Sequence, residues 1–361
     1  MRRIFTMLGI LLFILVVWFG LTWLHFLYNP LIKDPQGIKF KVAAGATYKV
    51  VSSELYQQHI IKHPHLMNLL FMVKGDVHHL KAGEYLFQQG TTASKMLHQM
   101  VTGTGLVYYT FTIIPGMTFK QVRQLIDENE NLDHATQKLS DADIMIQLGH
   151  AGLNPEGQFY PDTYFFMKDS PDLLLLKRAN HAMDEKLNNA WEHRDPNLPF
   201  KTVYEALIAA SIIEKEAHKQ EELPVIAGVM VNRLRQNILL QFDPTVIYGM
   251  GSRYDGTIYK SDLADNNPYN TYVHKGLPPT PISMPSVRSI HAVMHPEAND
   301  YLYFVAKGDH ATHQFSRTLI EHQAAIAEAK KFRPDYVNEV LIKKYLQKSI
   351  TQNYGTLAPS G

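Results

Sequence analysis

Residues 202–216 read Thr202-Val-Tyr-Glu205-Ala-Leu-Ile-Ala-Ala-Ser-Ile-Ile-Glu214-Lys-Glu216. Thr202 with Glu205 three residues later is a capping box, which opens a helix by satisfying its first free amides. The helix it opens, expected over 203–217, is apolar almost all round: Ala206, Leu207, Ile208, Ala209, Ala210, Ile212 and Ile213 leave it no polar face. Such a helix is stable only inside a domain. Yet it ends on carboxylates, which are costly on a buried helix unless paired or used. The fold must therefore wrap this helix, and its last turn is where chemistry is to be sought.

Downstream, a second helix is expected from Pro224, well placed in a first turn, to Asn232-Arg233-Leu234-Arg235. A polar, loop-rich stretch follows: Gln241-Phe-Asp243-Pro-Thr245-Val-Ile-Tyr248-Gly, Tyr269-Asn270-Thr271-Tyr272 and Gly276-Leu-Pro278-Pro279. Ser286 is suited to cap a helix reaching Met294. Tyr301-Leu-Tyr-Phe-Val305 reads as a strand, and His313-Gln-Phe315-Ser leads to a last helix carrying Glu321-His322. Upstream, Arg194-Asp-Pro-Asn-Leu-Pro199 breaks the periodicity and marks a boundary. Before it, helices are expected at 121–128, 141–149 and 173–191, with the aromatic segment Gly157-Gln-Phe-Tyr-Pro161-Asp162-Thr163-Tyr164 as a strand or loop. Near the N-terminus, a strand, a small-residue turn and an amphipathic helix recur around Phe40, Tyr85 and Phe111, a weak internal repeat of small α+β units.

The chain of 361 residues is 45% hydrophobic and 19% charged, enough apolar surface for a packed core. Its 35 Lys and Arg against 34 Asp and Glu give a net charge of +1, without the basic excess of a nucleic-acid binder. Cysteine is absent, which removes disulfides, thiolate nucleophiles and thiolate metal sites. Arg2-Arg3 precede an almost unbroken apolar run from Ile4 to Leu24, and Trp18, Trp23, Phe26 and Tyr28 crowd its far end. Twenty-one residues at ~1.5 Å each span roughly one bilayer core. The positive-inside rule places residues 1–3 in the cytoplasm and the body outside. A cleaved signal peptide is the rival, but the bulky Trp-Leu-His-Phe-Leu-Tyr stands where a small-x-small cleavage site would lie. The expected division is residues 1–3 cytoplasmic, 4–27 a transmembrane anchor, 36–110 a small α+β module, 111–200 an intermediate α+β region, 201–346 a mixed α/β domain around the buried helix, and 347–361 a polar tail. The fold class is α+β.

Glu214 and Glu216 lie roughly 200° apart around a helix, so only one can face a given cleft. The other is expected to pair with a base or meet solvent. Glu216 follows Ile212 and Ile213 by four and three residues, an apolar setting that suits a general acid. Structural bonding of Glu216 to the Asn232/Arg233 region is the alternative. A two-carboxylate glycosidase would need a partner acid roughly 5–9.5 Å away; Asp243, Asp255 and Asp262 are candidates that spacing does not separate. A one-carboxylate glycosidase works if a hydroxyl of the substrate is the nucleophile, with one Glu acting first as acid and then as base. Zinc and nucleophilic-serine motifs are missing. His291-x-x-x-His295 has ligand spacing but no acidic third ligand beside it, and His59, His63, His65, His78 and His79 read as solvated. No metal or cofactor is expected.

The runs Ala210-Ser-Ile-Ile-Glu214-Lys-Glu216, Val229-Met-Val-Asn232-Arg233-Leu234 and Gln241-Phe-Asp243-Pro-Thr245-Val-Ile-Tyr248-Gly, with Tyr269–Tyr272, Gly276–Pro279, His295-Pro296, His313-Gln-Phe315-Ser and Glu321-His322, closely resemble the endolytic murein transglycosylase (YceG-like) family. The resemblance covers residues 205–322 in order and spacing, includes 157–164 and the N-terminal apolar run, and is looser elsewhere. It implies a single-pass enzyme of the bacterial inner membrane facing the periplasm, which cuts peptidoglycan glycan strands internally between N-acetylmuramic acid and N-acetylglucosamine and leaves 1,6-anhydro ends. It implies that Glu216 is the catalytic acid, that the first module is LysM-like, and that penicillin-binding protein synthases are partners. Asn232, Gln241, Asp243, Thr245, Tyr248, Asn270, Thr271 and Tyr272 are candidates to bind substrate or orient the acid. A non-catalytic peptidoglycan-binding scaffold and a two-carboxylate muramidase are the alternatives. One departure stands out: Met284-Pro285-Ser286 occupies the place where the family often has Pro-Gly, so a positive φ there would alter the loop.

Overall fold

The computed structural model of the chain describes residues 2–75, 79–216, 219–307 and 312–332. His78, Ala217 and the tail 347–361, together with the last part of the 201–346 region, lie outside the described residues. The chain divides into two compact units: residues 1–111 with 131–133 and 165–170, and the remainder.

The first unit begins with helix α1 (Arg2–Tyr28). Its apolar side chains from Ile4 to Leu24 lie largely open, and an 18-residue stretch within Ile4–Tyr28 has a mean hydropathy of 2.7. Strand β1 (Ile38–Val42) then runs antiparallel to β2 (Gly83–Phe87), with Ile38 opposite Phe87 and Val42 opposite Gly83. The two-residue alternation turns Phe40, Val42, Tyr85 and Phe87 inward. Helices α2 (Tyr48–Gln57), α3 (Pro64–Lys74) and α4 (Ala93–Thr102) add Val51, Leu55, Met67, Leu70, Phe71, Met96 and Met100 to that core. Thr47 and Thr92 cap α2 and α4 by accepting amide hydrogen bonds. Phe26, at the end of α1, is buried in this same core.

Short strands β3 (Tyr109–Thr112), β4 (Leu132–Asp133), β5 (Thr163–Phe166) and β6 (Ser170–Pro171) follow in the chain, interleaved with α5 (Phe119–Asp127) and α6 (Asp141–Gln147). The second unit is built on α7 (Asp172–Glu192), α8 (Val203–Glu216), α9 (Leu223–Arg235), α10 (Asp243–Met250), α11 (Lys260–Leu263), α12 (Val287–Met294), the antiparallel hairpin β7 (Tyr303–Ala306) and β8 (His313–Ser316), and α13 (Leu319–Phe332). Helix α8 is its centre. Ala206 through Ile213 are all buried, and α12, α10, α9 and α7 pack around it. The capping residues act as expected: Thr202 Oγ1 accepts from Glu205 N, while the Glu205 carboxylate reaches Lys201 N, one residue earlier than in the usual box. Helices α3 and α10, with the single turn α11, go beyond the sequence reading. Helix α3 was not anticipated among the histidines around it. The 243–250 segment was expected as loop and is helix α10, opened by Asp243-Pro244 and burying Thr245, Val246 and Met250. With eight residues and no clear apolar stripe, α10 is a helix that packing on α8 selects rather than one its own periodicity announces.

Candidate active site

The two glutamates at the end of α8 have different surroundings. Glu214 Oε2 accepts three hydrogen bonds from the start of α12: Ser286 N at 2.8 Å, Ser286 Oγ at 2.6 Å and Ser289 Oγ at 2.6 Å. The carboxylate thus occupies the N-terminal end of α12, where the free amides and the helix dipole favour negative charge. This corrects the expectation that Glu214, as the other glutamate, pairs with Lys or Arg or meets solvent. Serines and a helix end serve in place of a cation. Ser286 itself accepts from Ser289 N and has φ −73°, an extended conformation open to any residue, so the departure at Ser286 needs no left-handed backbone. Glu214→Ala should strand these donors and lower unfolding stability by roughly 2–3 kcal/mol, measured by denaturant midpoint, with a smaller loss for Glu214→Gln.

Glu216 is the last residue of α8 and is half-buried. Its predecessor Lys215 points elsewhere, its ammonium donating to Gly116 O. A 3-10 turn, Gln220–Glu222, then leads into α9. Glu222 holds His313: Oε1 accepts from the His313 amide at 2.8 Å, and Oε2 lies 2.6 Å from its Nδ1. The Asn232/Arg233 region is engaged with other chain segments. Asn232 Nδ2 donates to Asn299 O, Asn299 Oδ1 and Tyr301 O. Arg233, buried so that its pKa is lowered, donates to the carbonyls of Leu239, Leu240 and Leu302 and to Gln241 Oε1.

Most of the remaining candidates gather into one connected cluster. Gln241 N donates to Thr271 O, and Phe242 N to Thr271 Oγ1. The buried hydroxyls of Thr245 and Thr271 are 2.8 Å apart. Asn270 Nδ2 donates to the carbonyls of Asp262, Leu263 and Asp265. Tyr272 donates its hydroxyl to Asp243 Oδ1 at 2.5 Å. These side chains pin the 239–245 and 262–272 segments together. The cluster is tied to Arg233, which stands ten residues, about 15 Å, along α9 from Leu223, where the turn after Glu216 ends. Asn232 stands outside the cluster, on the 299–301 segment.

Tyr248 leads to a residue that sequence reading missed. Its hydroxyl donates to Glu156 Oε2 at 3.0 Å, while Phe119 N donates to Glu156 Oε1 at 3.0 Å. Glu156 is 4% exposed, and burial pushes its carboxyl up to about 7 against the lowering effect of these donors. Burial, followed by the nearby Glu156, raises Tyr248 as well. The Tyr248 ring lies 4.8 Å from that of Tyr269, whose hydroxyl is 2.8 Å from Thr280 Oγ1. Gly157 follows with φ +79°, and a Cβ there would lie 2.5 Å from Pro281 Cβ, so only glycine fits this approach. The signal in the sequence was the position of Glu156 at the head of the 157–164 motif. The three aspartates proposed as partner acids are all engaged: Asp243 by Tyr272, Asp255 by Thr257 N and Tyr259 OH, and Asp262 by Tyr259 N. His295 Nδ1 lies 2.8 Å from Asp195 Oδ1, with the His291 ring beside it. Among the described residues no group of three or more His, Cys, Asp or Glu is placed to hold a metal.

The arrangement is a buried helix ending on two acids, with one acid committed to a neighbouring helix. A family model for YceG-like proteins matches residues 40–328. The chain belongs to the YceG-like family. The YceG-like chain is 30% identical over 318 residues to the endolytic murein transglycosylase of Bacillus subtilis, covering 83% of this chain and 87% of that protein. It is 27% identical over 319 residues to the endolytic murein transglycosylase of Streptococcus pneumoniae D39, covering 80% of this chain and 57% of that longer protein. A 2.6 Å crystal structure of a YceG-like protein from Listeria monocytogenes superposes with a TM-score of 0.51 at 28% identity, covering 81% of this chain and 99% of that one.

Proposed function

We propose that this YceG-like protein is a peptidoglycan lytic transglycosylase that cuts glycan strands internally, with Glu216 as its acid and base. The observation that carries the assignment is the placement of Glu216, half-buried as the last residue of the buried helix α8, while Glu214 is given over to joining α8 to Ser286 and Ser289 of α12. The relatives named endolytic murein transglycosylase support the substrate and reaction class. Glu216 in its acid form gives its proton to the glycosidic oxygen as the bond from muramyl C1 breaks, releasing an N-acetylglucosamine 4-hydroxyl. The muramyl C6 hydroxyl then attacks C1 of the same residue and returns its proton to Glu216. The 1,6-anhydro ring closes, the acid is regenerated and no water is consumed. An internal nucleophile is already close to the carbon it attacks, which supplies much of the rate.

The same reading gives α1 the role of an uncleaved anchor, with the body outside the cytoplasmic membrane. Burial of Phe26 in the core of the first unit supports it, because cleavage beyond α1 would remove a core side chain. The β1-α2-α3-β2 order of that unit is compatible with a LysM-like glycan-binding module. Action near cell-wall synthases, ending strand growth, completes the proposal. The test is to incubate full-length protein in detergent micelles with intact glycan strands and to size and weigh the fragments. Internal fragments ending in anhydro-muramyl residues are expected. Hydrated reducing ends would favour a two-carboxylate muramidase, and strand binding without cleavage would favour a scaffold.

A further inference from the structure

A groove of about 380 Å³ in the second unit lies along the start of α12, whose first residue, after the Ser286 cap that bonds Glu214, is in its lining. Gln220, Leu223 and Pro224 line one side, beginning four residues after Glu216. Val287, Arg288 and His291 of α12 line the other, on the helix whose first turn holds Glu214. Its chemistry is mixed. Leu223, Pro224 and Val287 give it an apolar lining, and Val287 is 47% exposed. Arg288 is exposed and, among the described residues, makes no hydrogen bond or ion pair. The amides of Ser286 and Ser289 are already served by Glu214 and Ser286, and Arg288 is the cation that the groove offers to a ligand. A guanidinium beside small apolar surfaces matches a ligand that carries carboxylates and methyl groups on a short flexible arm.

Resting on the transglycosylase reading, we propose that this groove is a subsite for the acidic lactyl-peptide arm of the muramyl residue being cleaved, with Arg288 pairing to a carboxylate of that arm. Two carboxylate sources share this chemistry. In peptide-bearing strands the lactyl carboxyl is tied up as an amide and the charge lies on the stem peptide. In strands stripped of peptide the lactyl group itself is the carboxylate. Arg288 is thereby a specificity-determining residue that acts on binding and leaves proton transfer to Glu216.

The test measures steady-state formation of anhydro ends by full-length wild type, Arg288→Gln and Arg288→Lys, each on peptide-bearing and on peptide-stripped strands. Arg288 lies on the open face of α12, so the variants should fold as wild type does. Loss of one exposed ion pair predicts a KM raised roughly fivefold in Arg288→Gln with kcat little changed, largely restored in Arg288→Lys. A rise confined to peptide-bearing strands assigns the carboxylate to the stem peptide. A rise confined to stripped strands assigns it to the lactyl group. An unchanged KM on both, or an equal rise on both, overturns the subsite while wild-type activity stands. If wild type itself forms no anhydro ends on either strand, it is the transglycosylase reading that fails.

Discussion

Glu216→Gln is expected to lower the rate of anhydro-end formation by at least about 10³-fold while leaving strand binding intact. Glutamine matches the shape of glutamic acid but can neither protonate the leaving oxygen nor take the proton of the C6 hydroxyl. General acid–base assistance is typically worth about 10²–10⁴-fold, and here one group serves both transfers. The substitution sits at the half-buried end of α8 and leaves the Glu214–Ser286 bonds and the side-chain shape in place, so the unfolding free energy should move by less than about 1 kcal/mol. Rates by product mass spectrometry and binding by co-sedimentation with insoluble peptidoglycan check both halves. A drop smaller than tenfold would remove Glu216 from the acid's role.

The second large effect is on stability and depends on pH. Burial raises the Glu156 carboxyl to about 7, so the fold prefers its protonated form. The folded state then holds this proton more tightly than the unfolded chain does. Stability is unaffected by this group below about pH 4.5, declines as the pH rises from there to about 7, and is flat above. The full difference, from 4.5 to about 7, corresponds to about 3 kcal/mol. Glu156→Gln keeps an oxygen to accept from Tyr248 or Phe119 and removes the charge. It should therefore be close to wild type in stability at pH 4.5 and more stable by up to about 3 kcal/mol at pH 8. Denaturant unfolding at the two pH values checks this. An equal difference at both would mean that Glu156 does not ionise within that range.

How much of this was legible beforehand depends on the distance over which each feature is decided. Helix α8 was plain because its apolar run and capping residues are local. So were α9, with Pro224 in its first turn, and α12, with Ser286 at its cap. That Glu214 and Glu216 must part company also followed from helical geometry alone. The partner of Glu214 did not, because Ser286 and Ser289 lie more than seventy residues away and only the packing of α12 on α8 brings them to it. Glu156 escaped notice for the same reason. Its place at the head of the 157–164 motif draws attention to it but does not mark the carboxylate as buried, since Phe119 and Tyr248 come to it from distant segments. Helix α10 was hidden by its shortness and weak periodicity. Among the loop candidates the sequence picked residues that do cluster, namely Gln241, Asp243, Thr245, Asn270, Thr271 and Tyr272, yet their polar atoms largely bond one another or the backbone. Motif density marks a tightly specified loop as readily as it marks a substrate contact.

In the proposed reaction the nucleophile comes from the sugar and not from water. The most direct measurement is cleavage of intact glycan strands by the full-length protein in ¹⁸O-labelled water, followed by mass spectrometry of the new ends. Anhydro-muramyl ends, one water lighter than reducing ends and free of label, are expected. Reducing ends carrying ¹⁸O would contradict it and make the protein a hydrolase with a second acid still to be found.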